Sequence, residues 1–154
     1  MKIRIGDELL TEHLRVRIRL DYRGEQRNGR FFFGGKTKEQ VAELAREQQV
    51  AMLRNVPLQG LTLEDVDLSL EVYCVNETIG RRLRDVAYAP ILLTLRLENI
   101  EELLPLLLRP EFRKIEFLSP DSVNIHRLDL ERVLYRFSQA YQQEIKVLEQ
   151  RSFH

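Results

Sequence analysis

The sequence predicts an α+β fold, with a mostly antiparallel or mixed sheet of four to six strands, packed helices and a long C-terminal helix. Two observations lead to this prediction. Segments in which apolar and polar residues alternate, as in half-buried strands, are mixed with segments whose apolar residues recur at helical spacing. These segments do not follow one another in regular alternation, which argues against a doubly wound parallel sheet. The length of 154 residues suits one domain.

We expect a single globular domain over residues 1–154, with residues 142–154 able to extend from it. The 24 basic and 24 acidic residues cancel, so net charge provides no general attraction to nucleic acid or to an anionic membrane. The chain has one cysteine, Cys74, and no apolar run near the roughly 20 residues of a membrane span. We therefore expect a cytoplasmic protein that does not act at a membrane.

The clearest pattern is a β-hairpin over residues 14–33, preceded by a short strand at residues 2–5. The apolar face of its first strand consists of Leu14, Val16, Ile18, Leu20 and Tyr22. The opposite face carries Arg15, Arg17, Arg19, Asp21 and Arg23. The turn is predicted at residues 24–29, and Arg30 begins a second strand that continues through the three phenylalanines at 31–33.

A helix is predicted next, because Thr37 and Gln40 have the spacing of a capping box. It extends to about Arg54, and its predicted apolar face consists of Val41, Leu44, Ala45, Ala51 and Met52. Residues 66–75 then alternate as a strand whose polar face is acidic, with Asp67 and Glu71.

Residues 76–85 predict a short helix or turn that presents Arg81, Arg82 and Arg84. Residues 90–97 are apolar on both faces, as in an interior strand. A second capping box, at Asn99, predicts a leucine-rich helix that is short or kinked because Pro105 lies inside it. A short strand at residues 114–118 and a long helix at about residues 128–151 complete the chain.

Three strands followed by an amphipathic helix fill the first third of the chain, and the segment at residues 29–37 runs directly into residues 38–45 of that helix. This order resembles the small DNA-binding modules of the integrase arm-binding type. The resemblance implies a sheet that contacts DNA and a helix that supports the sheet from behind.

The arginines allow two interpretations. On a twisted ribbon, their side chains could follow phosphates or enter a major groove. Alternatively, they pair with carboxylates of the chain itself, because the basic excess of residues 1–36 is nearly matched by the acidic excess of residues 37–77. The candidate interaction surface consists of Arg15, Arg17, Arg19, Arg30, Arg81, Arg82 and Arg84.

The C-terminal helix provides a second candidate surface. Its apolar positions follow helical spacing for about six turns, which is more than a small sheet needs to cover. The helix either docks along its whole length on its own domain or pairs with a second copy or a partner helix. The candidate oligomer helix carries Leu134, Phe137, Tyr141, Ile145 and Leu148.

No pattern of residues predicts catalysis, and we expect neither a cofactor nor a metal. The three histidines are isolated in sequence, and Cys74 is expected to be buried and inert on the apolar face of its strand. The segment at residues 34–37 lacks the glycine spacing of a phosphate-binding loop. We therefore predict a non-enzymatic, intracellular adaptor or regulatory domain that binds another protein or a second copy of itself. The alternative is a nucleic-acid-binding regulator that uses the arginine-rich hairpin.

Overall fold

The computed structural model describes residues 3–5, 8–10, 13–25 and 35–152. Within these ranges, the strands are β1 (Ile3–Ile5), β2 (Glu8–Leu10), β3 (Leu14–Glu25), β4 (Leu61–Asp67), β5 (Tyr73–Ile79), β6 (Arg82–Leu97) and β7 (Phe112–Ser119). The helices are α1 (Lys38–Asn55), the single-turn α2 (Leu104–Leu107) and α3 (Arg127–Ser152), with a 3₁₀ turn (Ile100–Leu103) before α2. The predicted α+β class is confirmed.

Five strands form one antiparallel sheet in which β3 and β6 are central. β3 pairs with β6 over its whole length, from Leu14 opposite Leu97 to Glu25 opposite Val86, and its other edge pairs with β7. β4 and β5 follow one another along the second edge of β6. Among the described strands, β1 and β2 pair only with each other. The predicted second strand of the hairpin, including Arg30, lies outside the described residues. The compact three-stranded module that the resemblance implies is not the arrangement around β3.

One face of the sheet is the hydrophobic core. Leu14, Val16, Ile18 and Leu20 of β3 are fully buried beside Ile91, Leu93 and Leu95 of β6. Their alternation is the predicted one, because every second residue of a strand points to the same side. α1 covers this face, so the arginines of β3 point away from the core on the opposite side, which we call the outer face.

The capping box of α1 is confirmed: the Thr37 side chain accepts a hydrogen bond from the Gln40 N–H, and the Gln40 side chain accepts one from the Thr37 N–H. Its predicted apolar face is wrong at Ala51 and Met52, which are exposed. α1 contacts the sheet instead through Ala42, Val50 and Leu53. At Gly24 the backbones approach closely, since a Cβ there would lie 2.2 Å from the Lys38 carbonyl oxygen and 2.3 Å from the Ala42 nitrogen.

The strand predicted at residues 66–75 is two strands, because β4 ends at Asp67 and β5 begins at Tyr73. The Asp67 carboxylate accepts a hydrogen bond from the Ser69 N–H (2.8 Å), a local turn that competes with continued pairing. The short helix or turn predicted at residues 76–85 is also wrong as a helix. These residues form the β5–β6 hairpin, and Gly80 adopts the positive φ (66°) that its tight turn requires.

The remaining elements follow the predictions, except that the capping box predicted at Asn99 is wrong, because the Asn99 side chain makes no capping hydrogen bond. β6 extends the predicted interior strand toward the N-terminus, β7 contains the predicted strand at residues 114–118, and α3 matches the predicted long helix. The leucine-rich helix is short, as expected from Pro105, and consists of the 3₁₀ turn and α2. No helix among the described residues is long and apolar enough to cross a membrane.

Candidate interaction surfaces

The outer face places Arg15, Arg17 and Arg19 side by side on β3, with side chains that remain 36 to 47% exposed. Each guanidinium nevertheless has a carboxylate of the same chain close to it. The three contacts are Arg15 Nε to Glu64 Oε2 (2.8 Å), Arg17 Nη1 to Glu116 Oε2 (3.9 Å) and Arg19 Nε to Asp21 Oδ1 (2.8 Å). Internal pairing, one of the two interpretations of the arginines, therefore describes this row.

Asp21 is the centre of the most closed part of the outer face, with a side chain only 1% exposed. Its carboxylate accepts hydrogen bonds from two nitrogens of Arg19 and from the Tyr73 hydroxyl, and Arg113 Nε lies 3.9 Å away. The hydrogen bond to Asp21 raises the pKa of Arg19 above its ordinary value. Burial, reinforced by the bond to Asp21, raises the pKa of Tyr73. A buried carboxylate with this many donors is compensated within the chain.

A second group of charges closes the end of the sheet near the β5–β6 hairpin. Glu25 accepts hydrogen bonds from Arg84 Nη1 (2.6 Å) and Arg23 Nη1 (3.1 Å), and Glu77 accepts one from Arg23 Nη2 (3.2 Å). The Tyr88 hydroxyl also donates to Glu77. Arg84 in particular holds the pKa of Glu25 below its usual value. Here Arg23 and Arg84 are balanced by Glu25 and Glu77.

Aromatic rings connect these two groups of charges. Tyr73 and Tyr88 stack with ring centroids 5.5 Å apart, and the Arg113 guanidinium lies 5.2 Å from the Tyr88 ring centroid. Burial, with the bond to Glu77 as a second cause, raises the pKa of Tyr88. The outer face at this end is a packed network and not a row of free cations.

The acidic segment at residues 37–77 supplies only part of the pairing: Glu64 and Glu77 contact arginines, as do Asp21 and Glu25 of β3, but other acids of that segment do not. Asp67 bonds to the backbone at Ser69, and Glu71 lies in the break between β4 and β5. Glu43 and Glu47 belong to α1, which lies on the other side of the sheet. Of the acids that reach the row, Asp21 belongs to β3 itself, while Glu64 and Glu116 come from β4 and β7. Of the second basic cluster, Arg84 pairs with Glu25, while Arg81 and Arg82 are exposed at the hairpin turn.

A small cleft of about 210 Å³ lies on the outer face beside the arginine row. It is lined by Arg17, Arg19, Leu70, Leu92, Lys114 and Glu116. Its three cations are opposed by Glu116, which contacts Arg17 and Lys114, and by Asp21, which contacts Arg19. Lys114 holds the pKa of Glu116 below its ordinary value. Three cations against two carboxylates leave an excess of one positive charge at this cleft.

α3, in contrast to the outer face of the sheet, is largely unpaired with the rest of the described chain and exposed to solvent. It is 26 residues long, about 39 Å at the usual helical rise, and none of its residues is buried. We call its apolar line the α3 stripe: Leu130, Leu134, Phe137, Tyr141, Ile145 and Leu148. Leu134 is 60% exposed and Leu148 57%, while Phe137 and Tyr141 stack on each other in the middle. The predicted oligomer residues thus share one face, and that face is open to solvent.

The first half of α3 is attached to the domain through its charged side. Glu101, in the 3₁₀ turn, is only 7% exposed, and its carboxylate oxygens lie 3.3 Å from Arg132 Nη2 and 3.0 Å from Arg136 Nη1. The second contact lacks hydrogen-bond geometry, so it is an ion pair alone. At 100° per residue, both arginines lie on the half of the helix opposite the α3 stripe. Attachment of α3 consequently leaves the stripe uncovered.

Two further local features were not predicted from the sequence. The His126 ring accepts a hydrogen bond from the Leu128 N–H (3.3 Å) at the start of α3. Cys74 is exposed, contrary to the prediction, and its thiol donates to Glu39 of α1 (3.2 Å), which raises the pKa of the thiol. A raised pKa makes this cysteine a poorer nucleophile at neutral pH.

Among the described residues, no three His, Cys, Asp or Glu side chains are grouped so that they could hold a metal ion. Comparison with known proteins adds no further assignment, because no protein-family model, curated protein or solved structure matches this chain. The outer face and the α3 stripe are therefore the candidate functional surfaces of the described residues.

Proposed function

We propose that this chain is a non-enzymatic, intracellular protein-interaction domain of the adaptor or regulatory kind, and that it binds its partner through the α3 stripe. One observation carries the proposal. A 26-residue helix turns a line of large apolar side chains to solvent and attaches to its own domain by the charged side. An amphipathic helix that only stabilised its own domain would pack its apolar side on that domain and turn its charged side to solvent.

The energetics support this proposal. Most helical stability in proteins comes from packing of the amphipathic helix's apolar face and not from intrinsic helix propensity. The stripe spans residues 130–148, about 27 Å along the helix, and its members Leu134, Tyr141 and Leu148 are each more than half exposed. A contiguous apolar patch of several hundred Å² that is exposed on a protein surface is typical of interaction sites. A partner that covered it would stabilise both the stripe and the helix.

A photo-crosslinking experiment tests the proposal on the full chain. Benzoyl-phenylalanine is placed at Phe137 on the stripe or, as a matched control, at Gln143 on the opposite side of α3. In an extract of cells that produce the protein, and in the purified protein, we expect a discrete covalent adduct from position 137 and none from position 143. Equal labelling from both positions, or no adduct from position 137 in either sample, contradicts the proposal.

A second candidate function, nucleic-acid binding by the outer face, draws support from one observation. Arg15, Arg17 and Arg19 keep more than a third of their side-chain surface exposed in a regular row. Their carboxylate partners count against it, since a phosphate would have to replace existing ion pairs. If this function operates, affinity for mixed DNA or RNA falls steeply with salt and Arg17→Glu abolishes it. Absence of binding at low salt excludes it.

A further inference from the structure

We infer that the partner of the α3 stripe is the α3 stripe of a second copy of this chain, and that the two helices run antiparallel. The inference rests on the proposed function, which it makes specific. It concerns three properties of the stripe: its symmetry, the position of one acidic residue within it, and the area that pairing would cover.

The stripe is complementary to itself when reversed. An antiparallel copy related by a two-fold axis near Gln139 places Leu130 opposite Leu148 and Phe137 opposite Tyr141. In a two-fold dimer every such contact occurs twice, so a match at one end guarantees a match at the other. The result is leucine on leucine at both ends and four aromatic rings in the middle. Aromatic pairs of this kind add stabilisation beyond the area they bury.

Glu144 selects the orientation. It follows Phe137 by seven residues, so it lies on the line of the stripe between Tyr141 and Leu148. In a parallel, in-register pair, Glu144 would face Glu144 of the second copy, and two carboxylates would meet inside an apolar seam. In the antiparallel pair, Glu144 faces Leu134 instead, and its carboxylate can turn to water. Juxtaposed like charges are a common means of excluding a wrong pairing.

The area that pairing would cover is sufficient for a dimer. Five large side chains of the stripe are about half exposed and present on the order of 100 Å² apiece, and Ile145 adds a smaller area, so two stripes together would bury roughly 1,000 to 1,200 Å². Specific interfaces begin near this size. The Glu101 contacts with Arg132 and Arg136 lie on the other side of α3, so a second copy can approach without breaking them.

The first test measures mass in solution. Multi-angle light scattering over a wide range of concentrations should show a monomer that converts to a dimer as concentration rises. Leu148→Asp should return the mass to that of the monomer throughout. Leu128→Asp is the matched control, since Leu128 is 61% exposed, as Leu148 is at 57%, but lies away from the stripe. This control should still dimerise. Circular dichroism of both variants verifies that the fold is intact.

The second test measures orientation. In a Cys74→Ser background, Leu130→Cys protein is mixed with Leu148→Cys protein and oxidised. The antiparallel pair should give the mixed disulfide in large excess over either homodimer. Predominant disulfides between two copies of Leu148→Cys would instead indicate a parallel pair and overturn the inferred orientation. Adding Glu144→Leu to both proteins should raise the share of parallel products several-fold, because it removes the repulsion.

Failure of this inference can be separated from failure of the proposed function. A monomer at every concentration, or a dimer that Leu148→Asp does not dissolve, overturns the second copy as partner. If position 137 still crosslinks to a different protein in extract, the α3 stripe remains an interaction surface with another occupant. If position 137 crosslinks to nothing in either sample, both proposals are wrong.

Discussion

The sheet and α3 are built from similar amphipathic patterns, yet only the sheet is covered by its own chain. The apolar side of β3 and β6 is buried under α1, and the arginines of the outer face meet carboxylates. In the part of the chain that the structure describes, no element packs over the apolar side of α3, although its leucines and aromatics are no less hydrophobic. The contrast indicates that periodicity identifies the apolar side of an element but not what covers it.

The largest expected effect is the difference in unfolding free energy between truncating a leucine in the core and truncating one on the α3 stripe. Leu93→Ala, at a fully buried position of β6, should reduce the free energy of unfolding by about 2 to 5 kcal/mol, since it leaves a cavity in the core. Leu134→Ala on the α3 stripe should cost about 0.5 kcal/mol or less in the monomer. Urea unfolding followed by circular dichroism at low protein concentration measures both. Similar losses would mean that α3 is packed within the monomer.

A smaller effect is expected from the buried carboxylate of the outer face. Asp21→Asn keeps the shape of the side chain but removes the charge that receives Arg19 and Tyr73, so unfolding should become easier by about 1 to 3 kcal/mol. Asp65→Asn, at an exposed carboxylate on β4, is the control and should change stability by no more than about 0.5 kcal/mol. A loss no larger than the control's would show that the Asp21 network contributes nothing to the fold.

Alkaline pH should also weaken the outer face. Burial raises the pKa of Tyr73 and Tyr88 in the folded chain, so these groups hold their protons more tightly when folded than when unfolded. Their contribution to stability is fully present below the unfolded pKa of about 10 and is lost as pH rises through the folded pKa. Unfolding free energies at about pH 8 and about pH 11 should show this decrease, and Tyr73→Phe should reduce it. An unchanged slope in that variant would contradict the assignment to Tyr73.

The smallest expected effect concerns the exposed pair of Arg15 and Glu64. Half-exposed ion pairs are screened by solvent, so a double-mutant cycle with Arg15→Ala and Glu64→Ala should give a coupling energy below about 1 kcal/mol. The coupling should decrease further with added salt. A much larger value would indicate that the arginine row is held rigidly as part of the fold.

Much of the fold could be predicted from the sequence because the clearest patterns of apolar and polar residues match the burial of those residues in the folded chain. Apolar and polar residues alternate in β3 from Leu14 to Tyr22 because one of its faces lies on the core, and α1 begins with the capping box at Thr37. The long strand predicted at residues 66–75 failed because the alternating pattern continued through a side-chain turn at Asp67. Ile79 and Leu83 have helical spacing, but they flank a hairpin turn and lie in two strands.

The candidate surfaces could be predicted only in part. The α3 residues were identified correctly as sharing a face, because a helical period suffices for that. Their exposure depends on Glu101, a residue about 30 positions away whose partners Arg132 and Arg136 no local pattern reveals. The carboxylates of the arginine row, Glu64 and Glu116, likewise come from strands whose order in the sheet is not encoded in any single segment.

The close approach at Gly24 determines the shape of the space under α1. Small residues fill the contact at this end, where Ala42 meets Ala87 and Ala89, and larger ones fill the other end, where Val50 and Leu53 lie on the core. The separation between α1 and the sheet is therefore smallest at Gly24 and larger near Val50 and Leu53. The wider end opens into a cleft of about 570 Å³ between Leu53, Pro57 and β4. A side chain added at Gly24 would push the N-terminal end of α1 away from the sheet. Because α1 moves as one helix, the width of the cleft at its C-terminal end would change as well.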